Sequence, residues 1–258
     1  MEYVERSTQI IEYLKAEKYI SYKELAKRLY TSEATIRRDC KKIVEKMHIK
    51  IVKNGVMFAD GSSTEYSLLI RQKVNEREKE SIAKLASEFL YDGISCFIDG
   101  STTAGMLVPY FKDLTNVTVV TNNLDNALRL NYNTSAKIYL AGGLLSKDNN
   151  SAQSLQAIDF LNRFSADVAF VSAKGIDKNG YTSEALDEVK GSKTAMLEIA
   201  KTKILLCDSS KFNSSYLFRC WNIAQFDVLI TDKKPSDKII NLCKRNKTKL
   251  IYKNASSN

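Results

Sequence analysis

Residues 32–39 read Ser-Glu-Ala-Thr-Ile-Arg-Arg-Asp, and this stretch decides how the N-terminal part of the chain is interpreted. The hydroxyl of Ser32, or of Thr31 before it, can cap a helix that begins here. Three apolar residues at helical spacing form an inward-facing stripe on that helix: Ile36, Cys40 and Ile43. The side chains left facing outward are hydroxyl and basic ones: Thr35, Arg37, Arg38, Lys41 and Lys42.

Two further helices are predicted before this one. Ser21 followed by Glu24 is a capping-box pattern, so we expect a helix from Ser21 through Leu29. Apolar residues at helical spacings predict a first helix from Tyr3 to about Lys15. The helix from Ser21 and the helix from Ser32 are short and joined by a tight turn, and the second of them carries arginines near its start. This is the helix-turn-helix arrangement that can enter a DNA major groove.

A β-hairpin follows the third helix. The β-prone runs 49–52 and 56–58 flank Lys53-Asn54-Gly55, which predicts a hairpin that would serve as the wing of a winged helix-turn-helix. Arginine can read guanine with two hydrogen bonds, whereas lysine and hydroxyl groups hold phosphates. The predicted DNA contacts are Ser32, Thr35, Arg37, Arg38, Lys41, Lys42 and Lys53. The alternative is that both arginines pair with Asp39 or Glu45 on the helix surface.

This segment resembles the DNA-binding module of the DeoR family of bacterial regulators. The resemblance lies in Glu24-Leu25-Ala26 and above all in Ser32-x-x-Thr35-Ile36-Arg37-Arg38-Asp39. It implies that the protein binds double-stranded operator DNA. Because such operators have two-fold symmetry, a homo-oligomer, either a dimer or a tetramer, is expected.

Composition and charge fit a protein that binds DNA through one part only. The 258 residues carry a formal net charge of +9, and 44% of them are hydrophobic. Residues 1–60 hold 13 Lys and Arg against 9 Asp and Glu, whereas residues 61–232 hold 18 against 20. No apolar run is long enough to span a membrane, and the 5 cysteines include no C-x-x-C pair, so we expect a cytoplasmic protein without a metal or cofactor. The basic stretch 233–258 is interpreted as the solvated surface of a last helix and its flanks, and the alternative is a second contact with DNA.

A second domain is predicted after residue 60. Small polar residues occupy 60–63, and residues 66–80 are interpreted as a charged helix. We therefore divide the chain into a winged helix-turn-helix at 1–60, a helical linker at 61–80 and an α/β domain at 81–258. Beyond the linker, β-branched runs alternate with helical patterns, which predicts a mostly parallel sheet. The predicted strands are 94–98, 117–120, 137–140, 168–171, 203–207, 228–231 and 250–252.

Polar residues follow five of these strands, where parallel sheets bind ligands. Asp99-Gly100-Ser101-Thr102-Thr103 precedes a helix predicted from about Ala104, an arrangement suited to phosphate. The other clusters are Thr121-Asn122-Asn123, Gly142-Gly143, Lys174-Gly175-Ile176-Asp177 and Asp208-Ser209-Ser210-Lys211. Each one alone is typical of turns. Five at successive strand ends predict a binding site.

Residues 66–232 resemble the C-terminal sensor domain of the DeoR family. The motifs that carry the resemblance are Asp99-x-Ser101-Thr102-Thr103, residues 119–123, Gly142-Gly143, Gly175-Ile176-Asp177, Met196 and residues 208–212. The resemblance implies a fold related to ribose-phosphate isomerases and CoA transferases, and an effector that is a phosphorylated sugar or a related intermediate. It also implies a pocket lined by residues 99–103, 121–123, Gly142, Gly143, Asp177, Glu184, Asp208 and Lys211. Lys190 and Lys193 compete as phosphate or carboxylate partners.

Two other classes of function were weighed against a regulator. An isomerase-like enzyme would use Asp99, Asp177, Glu184 and a lysine as acid and base, since His48 is the only histidine and lies beside the DNA module. An isomerase has no use for a helix-turn-helix, however. An architectural DNA-binding protein would not need polar clusters at its strand ends. We therefore expect a repressor of a carbohydrate uptake or catabolism operon that its effector releases from DNA.

Overall fold

The computed structural model describes residues 2–17, 19–44, 49–52, 54–58, 71–72, 74–146 and 149–253. These residues separate into two compact units, one that ends at Val74 and one that begins at Asn75. Within the described ranges, no helix is both long enough and apolar enough to cross a membrane.

The first unit confirms the predicted order of three helices. They are α1 (Tyr3–Glu17), α2 (Tyr22–Arg28) and α3 (Glu33–Val44). Ser21 caps α2, because its hydroxyl accepts a hydrogen bond from the amide of Glu24 at 3.1 Å. The Glu24 side chain does not complete the capping box, since it accepts from the guanidinium of Arg28 at 2.7 Å. Ser32 caps α3 in the same way, with the Thr35 amide 3.1 Å from its hydroxyl.

The predicted hairpin is present and belongs to a three-stranded sheet. Strands β2 (Ile49–Val52) and β3 (Gly55–Phe58) pair antiparallel, and β1 (Tyr19–Ser21) adds to the other side of β3. Strand β1 could not be predicted from the sequence, because three residues are too few to show a strand pattern. Gly55 lies opposite Ser21, and a Cβ at residue 55 would overlap the carbonyl oxygen of Ile20. Only glycine allows the two backbones to approach this closely.

The second unit is built on a seven-stranded sheet whose adjacent strands all run parallel. Its strands are β4 (Ser95–Ile98), β5 (Thr118–Thr121), β6 (Lys137–Leu140), β7 (Ala166–Ser172), β10 (Ala200–Leu206), β12 (Val228–Thr231) and β13 (Lys249–Tyr252). All seven predicted strands are confirmed. The spatial order is β13-β12-β10-β7-β4-β5-β6, so the chain builds outward from β4 in both directions. The order therefore reverses between β4 and β7, which is where open parallel sheets bind ligands.

Helices cover both faces of this sheet. They are α4 (Glu76–Ala86), α5 (Leu124–Asn133), α6 (Leu155–Leu161), α7 (Asp187–Ile199) and α8 (Asp237–Asn246). Two apolar clusters result, one that contains Phe97 and Val171 and one that contains Ile98 and Phe170. Neighbouring strand residues thus point to opposite faces, and both faces are buried. The helix expected from Ala104 is a 3-10 segment, Ala104–Phe111, which contains Pro109 and so lacks one backbone donor.

Helix α4 crosses the expected boundary at residue 80. It buries Ile82, Ala83 and Ala86 in the core of the second unit, so it packs as part of that unit rather than as a connecting segment. The remainder of the expected linker helix, residues 66–70, lies outside the described residues.

A second, antiparallel sheet accompanies the large one. It consists of β8 (Gly175–Ile176), β9 (Tyr181–Glu184) and β11 (Phe218–Asn222) in the order β11-β9-β8. This sheet is not apparent from the sequence, because β8 has two residues and the other two strands carry many polar side chains. Its importance is that β9 ends at Glu184, a predicted pocket residue.

Candidate DNA-binding and effector sites

The exposed face of α3 carries most of the predicted DNA contacts. Asp39 faces the other way: it is buried and accepts from Nε of Arg6 at 2.7 Å, which joins α3 to α1. Asp39 therefore does not neutralise Arg37 or Arg38. Glu45, the other acid considered, lies outside the described residues, as does Lys53 in the wing.

The basic side chains of α3 differ in whether they contact aromatic rings or carboxylates of the same unit. The guanidinium of Arg37 lies over the ring of Tyr22, 4.3 Å from its centroid, and 3.8 Å from a carboxylate oxygen of Glu33. The ammonium of Lys42 lies 5.0 Å from the ring centroid of Tyr3. Arg38 and Lys41 are exposed, and neither forms an ion pair within the described ranges. They are the cations most available to a polyanion.

The hydroxyl groups of Ser32 and Thr35 lie at the start of α3. Their oxygens are 2.9 Å apart, and Ser32 is exposed. A helix N-terminus carries partial positive charge and free amides, so hydroxyls here are well placed to contact phosphate.

Asp99 connects the ends of β4 and β7 at the switch point of the sheet. It is 1% exposed, and its Oδ1 accepts from the amide of Ser101 at 3.0 Å and from the Ser101 hydroxyl. Its Oδ2 accepts from the amide of Ser172 at 3.0 Å. The carboxylate thus holds the loop after β4 in place and is not free to act on a ligand.

Lys193 of α7 is the cation that compensates Asp99. Its Nζ lies 2.6 Å from Oε1 of Glu184, 2.7 Å from the carbonyl oxygen of Ser172 and 3.3 Å from Oδ2 of Asp99. Burial lowers the pKa of Lys193, but the two carboxylates more than offset burial and raise the pKa above its ordinary value. The three ammonium protons face three acceptors, so Lys193 organises the site instead of offering a free charge.

Lys190, its competitor, lies one turn earlier on α7 and takes no part in this cluster. It lines a shallow groove between α6 and α7, together with Ile158, Asn162, Asp187 and Glu198.

Lys211 and Asp208 lie beside the cluster, after β10. The Nζ of Lys211 donates to the hydroxyl of Ser172 at 2.9 Å and lies 3.9 Å from Oδ2 of Asp208. Burial raises the pKa of Asp208, but Lys211, the Ser210 hydroxyl and Lys79 outweigh burial, so the pKa is lowered. The side chain of Lys211 is 20% exposed and donates one hydrogen bond among the described residues, which leaves ammonium protons available to a ligand.

The loop after β4 offers backbone donors next to these charges. The amides of Gly100, Thr102 and Thr103 donate to no other residue in the described part of the chain. The Thr103 hydroxyl is buried and likewise has no partner there. A Cβ at residue 100 would overlap the hydroxyl of Ser151, so a side chain there would require Ser151 to move. Unpaired amides in one short loop are a typical binding site for an anion.

Residues 121–123, at the end of β5, are buried and mostly engaged with neighbouring loops. Thr121 donates its hydroxyl to the carbonyl of Ile98 at 2.7 Å, and Asn123 caps α5 by accepting from the amide of Asn126 at 2.9 Å. Asn122 donates to the carbonyl of Ala152 at 2.9 Å, while its Oδ1 is buried without a partner among the described residues. Only Asn122 therefore keeps an unused polar atom.

The remaining predicted pocket residues form no hydrogen bond with the cluster around Asp99 and Lys193 among the described residues. Gly142 and Gly143 are exposed after β6, and Gly143 has a φ of +130°, which favours glycine. Lys174 lies with its ammonium 5.1 Å from the ring centroid of Tyr216. The carboxylate of Asp177 accepts from the amides of Asn179 at 2.7 Å and Tyr181 at 3.0 Å, so it shapes the turn between β8 and β9.

Two residues of the cluster were not singled out from the sequence. Ser172 joins Asp99, Lys193 and Lys211, and its place directly after the predicted strand 168–171 is a signal that could have identified it. Asn75 donates to Asp208 across 133 positions of sequence, and no local pattern reveals such a contact. Cys96 and Cys207 are fully buried, and burial raises the pKa of the Cys207 thiol to about 11.

A winged helix-turn-helix together with a parallel α/β unit that has a polar site at its switch point defines a ligand-responsive DNA-binding regulator. Comparison with known proteins identifies the particular family. The DeoR-like helix-turn-helix domain matches residues 6–61, and the DeoR C terminal sensor domain matches residues 74–233. The chain belongs to the DeoR family of transcriptional regulators, and it is a regulator rather than an enzyme.

Similarity to known repressors extends over nearly the whole chain. The HTH-type transcriptional repressor GlcR of Bacillus subtilis (strain 168) is 30% identical over 247 residues, which cover 96% of this chain and 95% of the relative. The Glycerol-3-phosphate regulon repressor of Escherichia coli (strain K12) is 29% identical and covers 91% of this chain and 93% of the relative. The Deoxyribose operon repressor of Escherichia coli (strain K12) is 28% identical, with 96% and 98% covered. A solved structure, ribose 5-phosphate isomerase A from Methanocaldococcus jannaschii, aligns at 16% identity over 54% of this chain and 55% of that chain, with a TM-score of 0.40.

Proposed function

We propose that this protein represses an operon for carbohydrate uptake or catabolism, and that a phosphorylated sugar or related intermediate releases it from its operator. The names of the relatives support the class of operon, because they include repressors of a glycerol-3-phosphate regulon and a deoxyribose operon. A repressor of a bacterial operon acts on the chromosome, so the proposal also places the protein in the cytoplasm.

The observation that carries the effector class is the loop after β4. Three amides that have no partner among the described residues, at Gly100, Thr102 and Thr103, lie in the loop that Asp99 holds at the switch point. Lys211 is connected to the same loop through Ser172 and Asp99. Backbone amides together with one available ammonium favour a phosphate group.

Two buried polar atoms extend this site from a phosphate to a sugar. The Thr103 hydroxyl and Oδ1 of Asn122 are both buried without a partner in the described ranges. A buried polar atom left unpaired costs about 1–3 kcal/mol, so a ligand that supplies hydroxyl groups gains from pairing them. We therefore propose that the phosphate lies at residues 100–103 and that the sugar hydroxyls meet Thr103 and Asn122.

For the DNA-binding half, we propose that Arg38 and Lys41 form the main contacts from α3, supported by Ser32, Thr35 and Lys42. Arg37 would join them after leaving the ring of Tyr22.

A two-fold operator requires two recognition helices, so we also propose that the protein acts as a homodimer or a dimer of dimers. Light scattering should then give at least twice the mass of one chain, and the mass of a single chain would contradict this part.

The effector is tested by a thermal-shift screen of sugar phosphates and their unphosphorylated parents. A true effector present at 100 times its Kd should stabilise the folded chain by about 2.7 kcal/mol. Lys211→Met should abolish the shift, whereas Lys178→Met, which removes an exposed lysine from the turn between β8 and β9, should preserve it. Equal shifts from a sugar phosphate and its parent sugar would refute the phosphate site.

The division into domains is tested by expressing residues 75–258 alone. This fragment contains the whole seven-stranded sheet and α4, so it should fold, bind the effector and fail to bind DNA. A fragment that is disordered by circular dichroism would show that the two units do not fold independently.

A further inference from the structure

Asn75 begins the second unit, and its side chain does not do what an asparagine at this position normally does. It is the residue before α4, where asparagine usually accepts a hydrogen bond from an amide of the first helical turn. Here the side chain makes no such bond. The backbone of Asn75 is also left-handed, with a φ of +55°, a conformation that asparagine adopts more readily than most residues other than glycine.

The side chain of Asn75 instead binds the loop that follows β10. Its Nδ2 donates to Oδ1 of Asp208 at 3.0 Å and to the hydroxyl of Ser210 at 2.8 Å. A carboxylate only accepts, so the amide nitrogen must face it, and the direction of the bond is unambiguous. Two hydrogen bonds thus support a left-handed backbone at the residue that directly follows the first unit.

Asp208 is in turn the closest acid to the available cation of the effector site. Its Oδ2 lies 3.9 Å from Nζ of Lys211, and the carboxylate is 1% exposed. An anion that binds Lys211 competes with Asp208 for this ammonium. Because Asp208 is buried, the loss of Lys211, one of the two lysines that stabilise its carboxylate, is poorly screened by solvent and shifts the balance among its remaining contacts.

We propose that Asn75 and Asp208 link the effector site to the point where the chain leaves the DNA-binding unit and enters α4. The proposal rests on the proposed function for its ligand, a phosphorylated anion at Lys211. When the anion takes over Lys211, the loop 208–211 shifts, and Asn75 loses the two bonds that hold its left-handed backbone. The direction in which the chain enters α4 then changes, and operator affinity changes with it. Asn75 is a positioning residue in this scheme, because it does not contact the anion.

The test separates the side chain of Asn75 from its backbone. Asn75→Gly keeps the left-handed conformation accessible but removes both hydrogen bonds. Asn116→Gly is the matched control, since Asn116 is exposed, has a φ of +57° and makes no side-chain hydrogen bond within the described part. The operator is a duplex selected from a random library by the wild-type chain, and the anion probe is inorganic phosphate, with sulfate at equal ionic strength for comparison.

Two measurements are made by fluorescence anisotropy at one salt concentration. The first is the change in operator affinity on adding phosphate, which we expect to be at least about 5-fold in the wild type and in Asn116→Gly. In Asn75→Gly it should fall below about 2-fold, while phosphate affinity, followed by Trp221 fluorescence, stays within about 2-fold of wild type. A phosphate response that persists undiminished in Asn75→Gly overturns the proposal.

The second measurement needs no ligand. Lys211→Met removes the ammonium from Asp208, and it should change operator affinity in the wild-type background but not in the Asn75→Gly background. Additive effects of the two substitutions overturn the link between Asn75 and Lys211. If the effects are non-additive but neither phosphate nor any sugar phosphate binds, the link stands and the proposed effector class is wrong.

Discussion

Replacing Lys193 with methionine is the sharpest test of how the sensor unit is held together. The substitution keeps the length of the side chain but removes the ammonium that lies 2.6 Å from Glu184 and 3.3 Å from Asp99. Both carboxylates are at least 95% buried, so each would lose a buried ion-pair partner. Removing one partner from a buried ion pair typically costs about 3–5 kcal/mol.

Urea unfolding followed by tryptophan fluorescence measures this loss in the right unit. Trp221 is the single tryptophan, and it lies in β11 of the sensor unit. With a slope of about 2 kcal/mol/M, a loss of about 4 kcal/mol lowers the midpoint by about 2 M. The pKa of Lys193 is raised in the folded state above its ordinary 10.5, so its contribution is fully present at neutral pH and is lost only as the pH rises through the folded value.

Two further variants show whether the reasoning is correct. Lys201→Met is the matched control, because Lys201 also pairs with a carboxylate, Asp167 at 2.9 Å, but its side chain is 73% exposed. Solvent screens that pair, and the midpoint should hardly move. Adding Glu184→Gln to Lys193→Met removes both charges and should recover part of the loss. Equal shifts for Lys193→Met and Lys201→Met would refute the claim that this buried pair organises the site.

Three other perturbations test the DNA-binding face, the wing sheet and the acid limit of stability. Arg38→Ala should cost about 1–3 kcal/mol of operator affinity and relax the preference at one base pair, whereas Lys41→Ala should weaken all sequences alike, as measured by anisotropy at fixed salt. Gly55→Ala should destabilise the first unit by about 1–3 kcal/mol, because its Cβ meets the carbonyl of Ile20, and unchanged hydrogen exchange in β1 and β3 would contradict this. Ser95, together with Lys201, lowers the pKa of Asp167 to about 2, so this group contributes stability that is lost as the pH falls from about 4 to 2. Asp167→Asn should make that acid loss shallower when followed by Trp221 fluorescence, and an identical pH profile would count against the assignment.

The secondary structure and the class of protein followed from the sequence, because both depend on local patterns. Apolar residues at helical spacing predict α1 and α3, and the capping hydroxyls of Ser21 and Ser32 predict where two helices begin. Buried parallel strands are continuous β-branched runs, so all seven were recognisable. The shortest strands were not: β1 and β8 are too brief for periodicity to reveal them, and the helix predicted from Ala104 could not be recognised as a 3-10 segment.

The site divides in the same way. Since parallel strands end at one edge of a sheet, the polar clusters after them could be placed together from the sequence alone. The sequence could not show which of those polar groups bond to other residues of the chain and are therefore unavailable to a ligand. Lys190 and Lys193 are both basic residues of α7, yet only Lys193 contacts the carboxylates of Glu184 and Asp99. The carboxylate of Asp177 accepts hydrogen bonds from backbone amides of the turn between β8 and β9.

By itself, then, the sequence determined the two kinds of domain, the strands and helices that build them, and the edge at which polar loops gather. Only the tertiary structure decided that β4 lies beside β7, and with it the chain of contacts from Lys211 through Ser172 to Asp99. The bond between Asn75 and Asp208 joins residues 133 positions apart. Such contacts depend on the order of strands in the sheet, and that order is set by how long-range packing closes the core, which no local pattern of residues records.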